Sequence, residues 1–251
     1  MQKRIVTLTI NPALDKNTRI EQVAPNQKLR CDQSARHPGG GGVNVARAIR
    51  KLGGKSLALY PCGGPIGEIF KGLLDDEGVD HRPIPIENLT RENLIVFEKR
   101  SNQQFIFDMP GPELCEAEWQ RVLEELSQVD PPPDYIVASG SIPPGVPDDF
   151  YQRVAELSRE LDSRLIVDTS EEPLRLATEA GVYLLKPNMR ELGHLAGREI
   201  ESEEHQITAA KDLVERGQTD GVVVSMGAGG ALLVTEEIAE HLRTPTVPIK
   251  S

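Results

Sequence analysis

Four consecutive glycines, Gly39-Gly40-Gly41-Gly42, stand immediately before Val43-Asn44-Val45-Ala46, where a helical pattern begins. Glycine lets backbone amides approach a ligand closely, and the first turn of a helix offers free N–H groups at its positive end. A flexible loop or tight turn is the ordinary alternative. The run is not a dinucleotide fingerprint, because a G-x-G-x-x-G motif begun at Gly39 would put its third glycine at Asn44. Gly54-Lys55-Ser56 is not a phosphate loop either: Ile49 stands where the earlier glycine is required, and a strand follows the triplet instead of preceding it. Later in the chain, Asn188 and Glu191 lie three residues apart and would share a helix face. Both carry hard oxygen donors suited to Mg²⁺ and its waters. A helix N-cap with its capping-box glutamate is an equally natural reading of the same four residues.

The elements that must position these residues alternate. Short β-rich runs at 5–10, 56–60, 135–138, 165–167, 182–185 and 222–225 are interleaved with helical patterns at 43–52, 64–77, 148–161, 173–180 and 202–216. That rhythm is the signature of a parallel α/β architecture with short, right-handed crossovers. Residues 18–36 and 93–107 interrupt it, carrying β-type residues such as Leu94-Ile95-Val96-Phe97 and Phe105-Ile106-Phe107 with no helix between. Each is too polar on one side for a central strand, so a small antiparallel sheet standing off the main domain is expected. Trp119 falls in a helical pattern with Val122 and Leu123 and reads as packing.

Composition narrows the classes. The 251 residues carry 28 Lys plus Arg against 39 Asp plus Glu, a net charge of −11, which disfavours a general nucleic-acid or anionic-membrane binder. Aromatic residues make up only 4%, too few for a single-strand stacking platform. No apolar stretch approaches the roughly 20 residues of a membrane span, and the apolar run after Met1-Gln2-Lys3-Arg4 breaks at Asn11-Pro12, too early for a signal peptide. Cys31, Cys62 and Cys115 are odd in number and widely spaced, which fits a reduced cytoplasm, and they have no neighbouring base to make a nucleophile. The five histidines form no zinc-like cluster, and the acidic stretch 199–204 reads as a solvated helix start.

Several motifs in fixed order now carry a resemblance. Asn11-Pro12-Ala13-Leu14-Asp15 and Pro38-Gly39-Gly40-Gly41-Gly42-Val43-Asn44-Val45-Ala46 are followed by Thr90-Arg91-Glu92-Asn93-Leu94 and Met109-Pro110-Gly111-Pro112. Ser139-Gly140-Ser141-Ile142-Pro143-Pro144-Gly145, Lys186-Pro187-Asn188-Met189-Arg190-Glu191 and Ser225-Met226-Gly227-Ala228 complete the set. Together they span the chain, which resembles the PfkB branch of the ribokinase-like sugar kinases. The resemblance implies a three-layer α/β/α domain over 1–251 with a mostly parallel sheet and a small protruding antiparallel β lid from roughly 17–37 and 90–108. It implies Mg²⁺ and ATP as co-substrate, and transfer of the γ-phosphate to the 1-hydroxyl of fructose 6-phosphate. Tagatose 6-phosphate and fructose 1-phosphate are the alternative substrates within the family. A non-catalytic sugar-phosphate sensor is the alternative of another class, and a dinucleotide oxidoreductase fails for want of the fingerprint.

The same resemblance assigns roles. Asp15 would accept sugar hydroxyls from just beyond a strand's carboxyl end, with Gly40, Gly41, Asn44 and Ser139 completing the substrate contacts. Arg91, with Lys28 from the other lid segment, would meet the sugar's existing phosphate. Lys186, Asn188, Ser225 and Gly227 would hold ATP, and Asn188 with Glu191 would organise Mg²⁺ through water. The family's proton acceptor is the aspartate of a Gly-Ala-Gly-Asp loop, which occurs nowhere in these 251 residues. The chain reads Thr246-Val247-Pro248-Ile249-Lys250-Ser251 where a strand would lead to that loop, so no catalytic residue is assigned, the aspartate is expected beyond Ser251, and the 251 residues are expected to be inactive or nearly so. A lid sheet of this size gains by burying its apolar face against a twin, which makes a homodimer the expected assembly. Nucleic acid and membrane are not expected partners.

Overall fold

The computed structural model describes residues 3–244. The first half of the chain runs β1 (Ile5–Leu8), β2 (Ala13–Ile20), β3 (Ala35–Gly39), α1 (Gly41–Lys51), β4 (Leu57–Cys62), α2 (Gly64–Asp76), β5 (Asp80–Pro85), β6 (Arg91–Glu98) and β7 (Gln103–Phe107). The second half runs α3 (Glu116–Ser127), β8 (Tyr135–Ser139), α4 (Phe150–Glu160), β9 (Arg164–Asp168), α5 (Glu171–Ala180) and β10 (Val182–Leu185). It continues through α6 (Met189–Ala196), α7 (Glu203–Glu215), β11 (Thr219–Ser225), β12 (Ala231–Thr235) and β13 (Ala239–Leu242).

Nine strands form the main sheet in the order β13-β12-β11-β10-β9-β8-β1-β4-β5, parallel from β11 to β5, with β12 and β13 turning back antiparallel at one rim. Its central parallel strands are largely apolar on both sides, as strands covered on both faces must be. In β4, Leu59 joins one buried cluster while Ala58, Tyr60 and Cys62 join another, and residues alternate across a strand, so the two clusters lie on opposite faces. The first cluster takes Trp119 of α3, Val154 of α4, Leu174 of α5, Leu192 of α6 and Leu213 of α7. The second takes Val43 and Ala46 of α1 and Phe70 and Leu74 of α2. Three layers result. Towards β12, the α1–α2 face is thinly covered by the described residues, and Ile166, Leu184, Val223 and Leu233 stay half-buried.

The topology places the site. From β1 the chain builds outward through β4 and β5, then returns to β8 on the other flank of β1 and builds through β9, β10 and β11. The strand order therefore reverses at β1 and β8, and ligands of open α/β sheets bind outside the carboxyl ends at such a point.

The second sheet corrects one expectation. Its order is β3-β2-β6-β7, and β2 pairs with β6 in parallel from Ala13↔Arg91 to Ile20↔Glu98, so the lid is mixed and not antiparallel. The cause is the main sheet itself. β1 and β5 run parallel, and the chain leaves each at its carboxyl end to enter the lid, so β2 and β6 set out in the same direction. The lid also starts at Ala13, earlier than the expected 17, and residues 21–34 form a largely irregular connection instead of strand. Two rim strands were not legible as strands. β5 reads Asp80-His81-Arg82-Pro83-Ile84-Pro85 and β13 reads Ala239-Glu240-His241-Leu242; each lies at a rim of the sheet as described, where its residues are mostly exposed or half-buried and carry no apolar pattern. The strand expected at 246–251 lies outside the described residues.

Leu14 roots the lid in the domain: it is fully buried in the cluster with Val43, Ala46 and Phe70. Ile106, at the outer lid edge, is 63% exposed. Leu14→Ala is expected to lower unfolding stability by about 2–5 kcal/mol in urea titration, whereas Ile106→Ala in the monomer should change it by no more than about 0.5 kcal/mol.

Candidate active site

The glycine run forms the turn from β3 into α1, and it is walled on two sides. A Cβ at Gly39 would overlap the Asp15 carboxylate, and one at Gly41 would overlap the Ser139 hydroxyl. Gly40 has φ +114°, a conformation that side chains rarely adopt. Its end of the helix has no side-chain cap of its own; Thr9, buried just after β1, accepts the Val43 N–H at 2.9 Å through Oγ1. The turn is thus fitted against residues from β1, β2 and β8, with Asn44 exposed one turn into the helix.

Asp15 lies within lid strand β2, opposite Asn93 of β6. Asn93 Nδ2 donates to Asp15 Oδ1 at 3.0 Å, and Asn93 Oδ1 accepts the Met109 N–H at 3.1 Å, which fixes the orientation of the Asn93 amide. Burial pushes the Asp15 carboxyl above its ordinary range, while the Asn93 bond and the charge of Arg91 pull it back. Oδ2 has no hydrogen-bond partner among the described residues. A half-buried carboxylate with one free oxygen is an acceptor for a ligand hydroxyl.

Beyond the glycine turn a polar line crosses the carboxyl ends of β8, β9 and β10. Ser139 Oγ donates to Asp168 Oδ2 at 3.1 Å, and Lys186 Nζ sits 3.0 Å from Asp168 Oδ1. Gly140, at φ +121°, gives its carbonyl to Tyr151 Oη at 2.8 Å and to Thr169 Oγ1 at 2.9 Å, which holds the β8 end rigid. Just past Lys186, Asn188 makes a parallel bridge with Ser225, and the Ser225 N–H bonds Pro187 O at 2.9 Å. Gly227 follows, exposed, at the start of a 3-10 turn. Lys186, Asn188, Ser225 and Gly227 are thereby brought to one edge.

Asn188 and Glu191 form the reciprocal cap of α6: Asn188 Oδ1 accepts the Glu191 N–H at 2.9 Å, and Glu191 Oε2 accepts the Asn188 N–H at 2.8 Å. Of the two alternatives read from the sequence the cap is the one that forms, and it still leaves Glu191 Oε1 without a partner among the described residues. No cluster of three or more His, Cys, Asp or Glu able to cage a metal occurs among them. One free hard carboxylate oxygen at this edge has the chemistry to take a dication that keeps most of its waters, as Mg²⁺ does.

The two cations expected to meet the sugar's phosphate are placed differently. Arg91 is largely buried and committed: Nη1 bonds Asp108 Oδ1 at 2.7 Å and Met109 O at 2.7 Å, and Nη2 bonds Asn11 O at 3.3 Å. Its Nε is buried with no hydrogen-bond partner among the described residues. Lys28 is exposed in the connection between β2 and β3, with no hydrogen bond or ion pair to Arg91 or any other described residue. Asn93 and Asp168 are the residues that sequence reasoning passed over. Asp168 ends β9 just as Ser139 ends β8, and position at a strand's carboxyl end was the available signal. Cys31 and Cys115 are exposed and Cys62 is buried, and none forms a disulfide.

A family model described as pfkB family carbohydrate kinase matches residues 6–251. The ATP-dependent 6-phosphofructokinase isozyme 2 of Mycobacterium tuberculosis is 46% identical over 246 residues, which is 98% of this chain and 72% of that protein. Phosphofructokinase-2 from Escherichia coli, solved in complex with fructose-6-phosphate, superposes with a TM-score of 0.95 at 39% identity, covering 100% of this chain and 82% of that one. Its tetrameric inhibited form matches with a TM-score of 0.94 over the same shares.

The raised Asp15 carboxyl has a stability consequence of definite sign. An acid whose folded pKa lies above its unfolded value costs stability where it is ionised and nothing where both states are protonated. Asp15→Asn is therefore expected to raise the thermal midpoint at neutral pH. The gain should fade as pH falls through and below the ordinary carboxylate range, in paired melts from pH 7 to pH 3.

Proposed function

The chain belongs to the pfkB family of carbohydrate kinases, and on that footing we propose that it binds fructose 6-phosphate and Mg·ATP for transfer of the γ-phosphoryl group to the sugar's 1-hydroxyl. The observation that carries this reading is the single polar line at the reversal point of the sheet. It begins at Asp15 and the glycine turn, passes Ser139, Asp168 and Lys186, and ends at Asn188 and Ser225. Phosphoryl transfer asks mainly for in-line positioning and charge neutralisation, and a continuous line of this kind supplies both.

In the proposed complex Asp15 Oδ2 accepts a sugar hydroxyl and Asn44 meets a second, with the backbones of Gly40 and Gly41 close enough to make van der Waals contact because no side chain intervenes. Arg91, through its unpartnered Nε, and the exposed Lys28 receive the sugar's phosphate, and Asp108 is the anion that phosphate displaces. Ser139 orients the acceptor end. Lys186, held by Asp168, faces the transferring phosphoryl group, and Ser225 and Gly227 offer a hydroxyl and backbone groups to the triphosphate. Asn188 and Glu191 would hold Mg²⁺ through water, and bound there it would neutralise phosphate charge.

The lid is proposed to pair with a second copy. Ile106 and Phe107 are 63% and 46% exposed, and Ile95 and Phe97 are half-buried on the same small sheet. A cytoplasmic location accords with three cysteines that form no disulfide. Among the described residues no helix is long and apolar enough to cross a membrane.

The 251 residues contain no Gly-Ala-Gly-Asp sequence, so equilibrium binding is the direct test. Titration calorimetry should show these residues binding fructose 6-phosphate in preference to tagatose 6-phosphate and fructose 1-phosphate, with little or no ATP-dependent turnover. Arg91→Ala should weaken fructose 6-phosphate by roughly 10- to 100-fold and unphosphorylated fructose hardly at all. Equal loss for both sugars would remove the phosphate role, and preference for fructose 1-phosphate would reassign the substrate.

A further inference from the structure

Arg47 lies on α1 one turn after Asn44, and all three of its guanidinium nitrogens are in use. Nε and Nη2 grip the carboxylate of Glu77, the residue that caps the end of α2, at 2.7 and 2.6 Å. Nη1 reaches back to Pro38 O at 2.9 Å, immediately before the glycine run, and to Asn44 Oδ1 at 3.3 Å. The fork is only 16% exposed, and the arginine holds the Glu77 carboxyl below its ordinary range. A Lys could neutralise Glu77 but, as a point charge, could not hold all three groups at once.

This geometry decides what Asn44 offers a ligand. Arginine only donates, so the amide atom facing it must be oxygen, and the orientation of Asn44 follows from chemistry. Its Nδ2 makes no hydrogen bond among the described residues and remains free to donate. Across the glycine turn the complementary constraint acts on Asp15, which can only accept and already has Oδ1 taken by Asn93. The charge of Arg47 is also felt at Asp15, so the three groups share one electrostatic neighbourhood.

We propose that Arg47, braced by Glu77, is a positioning residue that fixes Asn44 as an obligate donor opposite the acceptor Asp15, so that the site reads two sugar hydroxyls by opposite polarity, one accepting from Asn44 and one donating to Asp15. This rests on the sugar-binding role of Asn44 given under the proposed function. It extends that role to a residue that itself touches no sugar, and it excludes analogues in which the Asn44-facing hydroxyl is lost.

The test is a double-mutant cycle on the full chain, reading the dissociation constant of fructose 6-phosphate by calorimetry. Arg47→Lys should weaken binding about tenfold, the scale of one misdirected hydrogen bond, and should change it by less than about twofold in an Asn44→Ala background. A merely structural Arg47 would give the same factor in both backgrounds, which overturns the proposal. Asn44→Asp provides the second reading, because it keeps an oxygen towards Arg47 and removes the donor. It should weaken binding at least as much as Asn44→Ala while leaving the thermal midpoint no lower than that of the parent, and parent-like binding by this variant also overturns the proposal. Should Arg47→Lys fail to fold, as circular dichroism would show, Asn44→Asp decides alone. A parent chain that binds no phosphorylated ketohexose refutes the proposed function itself, and this inference falls with it. A parent that binds, with an additive cycle, refutes the inference only.

Discussion

The site depends on one steric constraint: at the β3–α1 turn there is no room for a side chain. Gly39 is pressed against Asp15 and Gly41 against Ser139, so the turn brings together groups from a lid strand and from the far half of the main sheet. Any residue larger than glycine would push these apart or force the helix away from β1. The helix is also capped from outside its own sequence, by Thr9. Because β1 lies between β4 and β8, the turn sits where the two halves of the sheet diverge, and it is walled by residues from both.

Around that turn the charges are arranged in coupled pairs. Arg47 is held by Glu77, Arg91 by Asp108 and Lys186 by Asp168. In a chain with a net charge of −11, local cations at the site stand in an acidic surrounding, and each is oriented by an acid before any ligand arrives. Pre-oriented donors need little rearrangement when charge develops on a ligand, which is the condition for electrostatic stabilisation in a partly desolvated site. Asp15 shows the opposite balance, since its carboxylate is burdened by burial and only partly relieved by Asn93 and Arg91. Residues arranged for binding need not be arranged for stability.

The two sheets are joined through the same residues. Leu14 anchors β2 in the core beside α1, and Asp15, the next residue along the strand, points to the other face and into the site. Successive side chains of a strand alternate, so one strand serves as both root and ligand wall. Movement of the lid would therefore carry Asp15 and Arg91 with it, while Asn44, Ser139 and Lys186 stay with the main sheet.

The chain order of the motifs, the alternation of strand and helix, and the glycine run at 39–42 were legible in the sequence, because each is a matter of local propensity or residue type; why those glycines are needed was not, since Asp15 and Ser139 come from distant segments. The same sequence left Asn188 and Glu191 open between cap and metal, and the structure shows that the cap forms and still leaves one carboxylate oxygen free. What tertiary structure alone decided were the relations between distant segments. The parallel pairing of β2 with β6 follows from the directions of β1 and β5, the engagement of Arg91 follows from Asp108 seventeen residues away, and the role of Asp168 follows from its meeting Ser139 and Lys186. A lone arginine or aspartate carries no local signal of its partner. Its partner is set by which strand ends the sheet brings side by side, and that is a property of the whole topology.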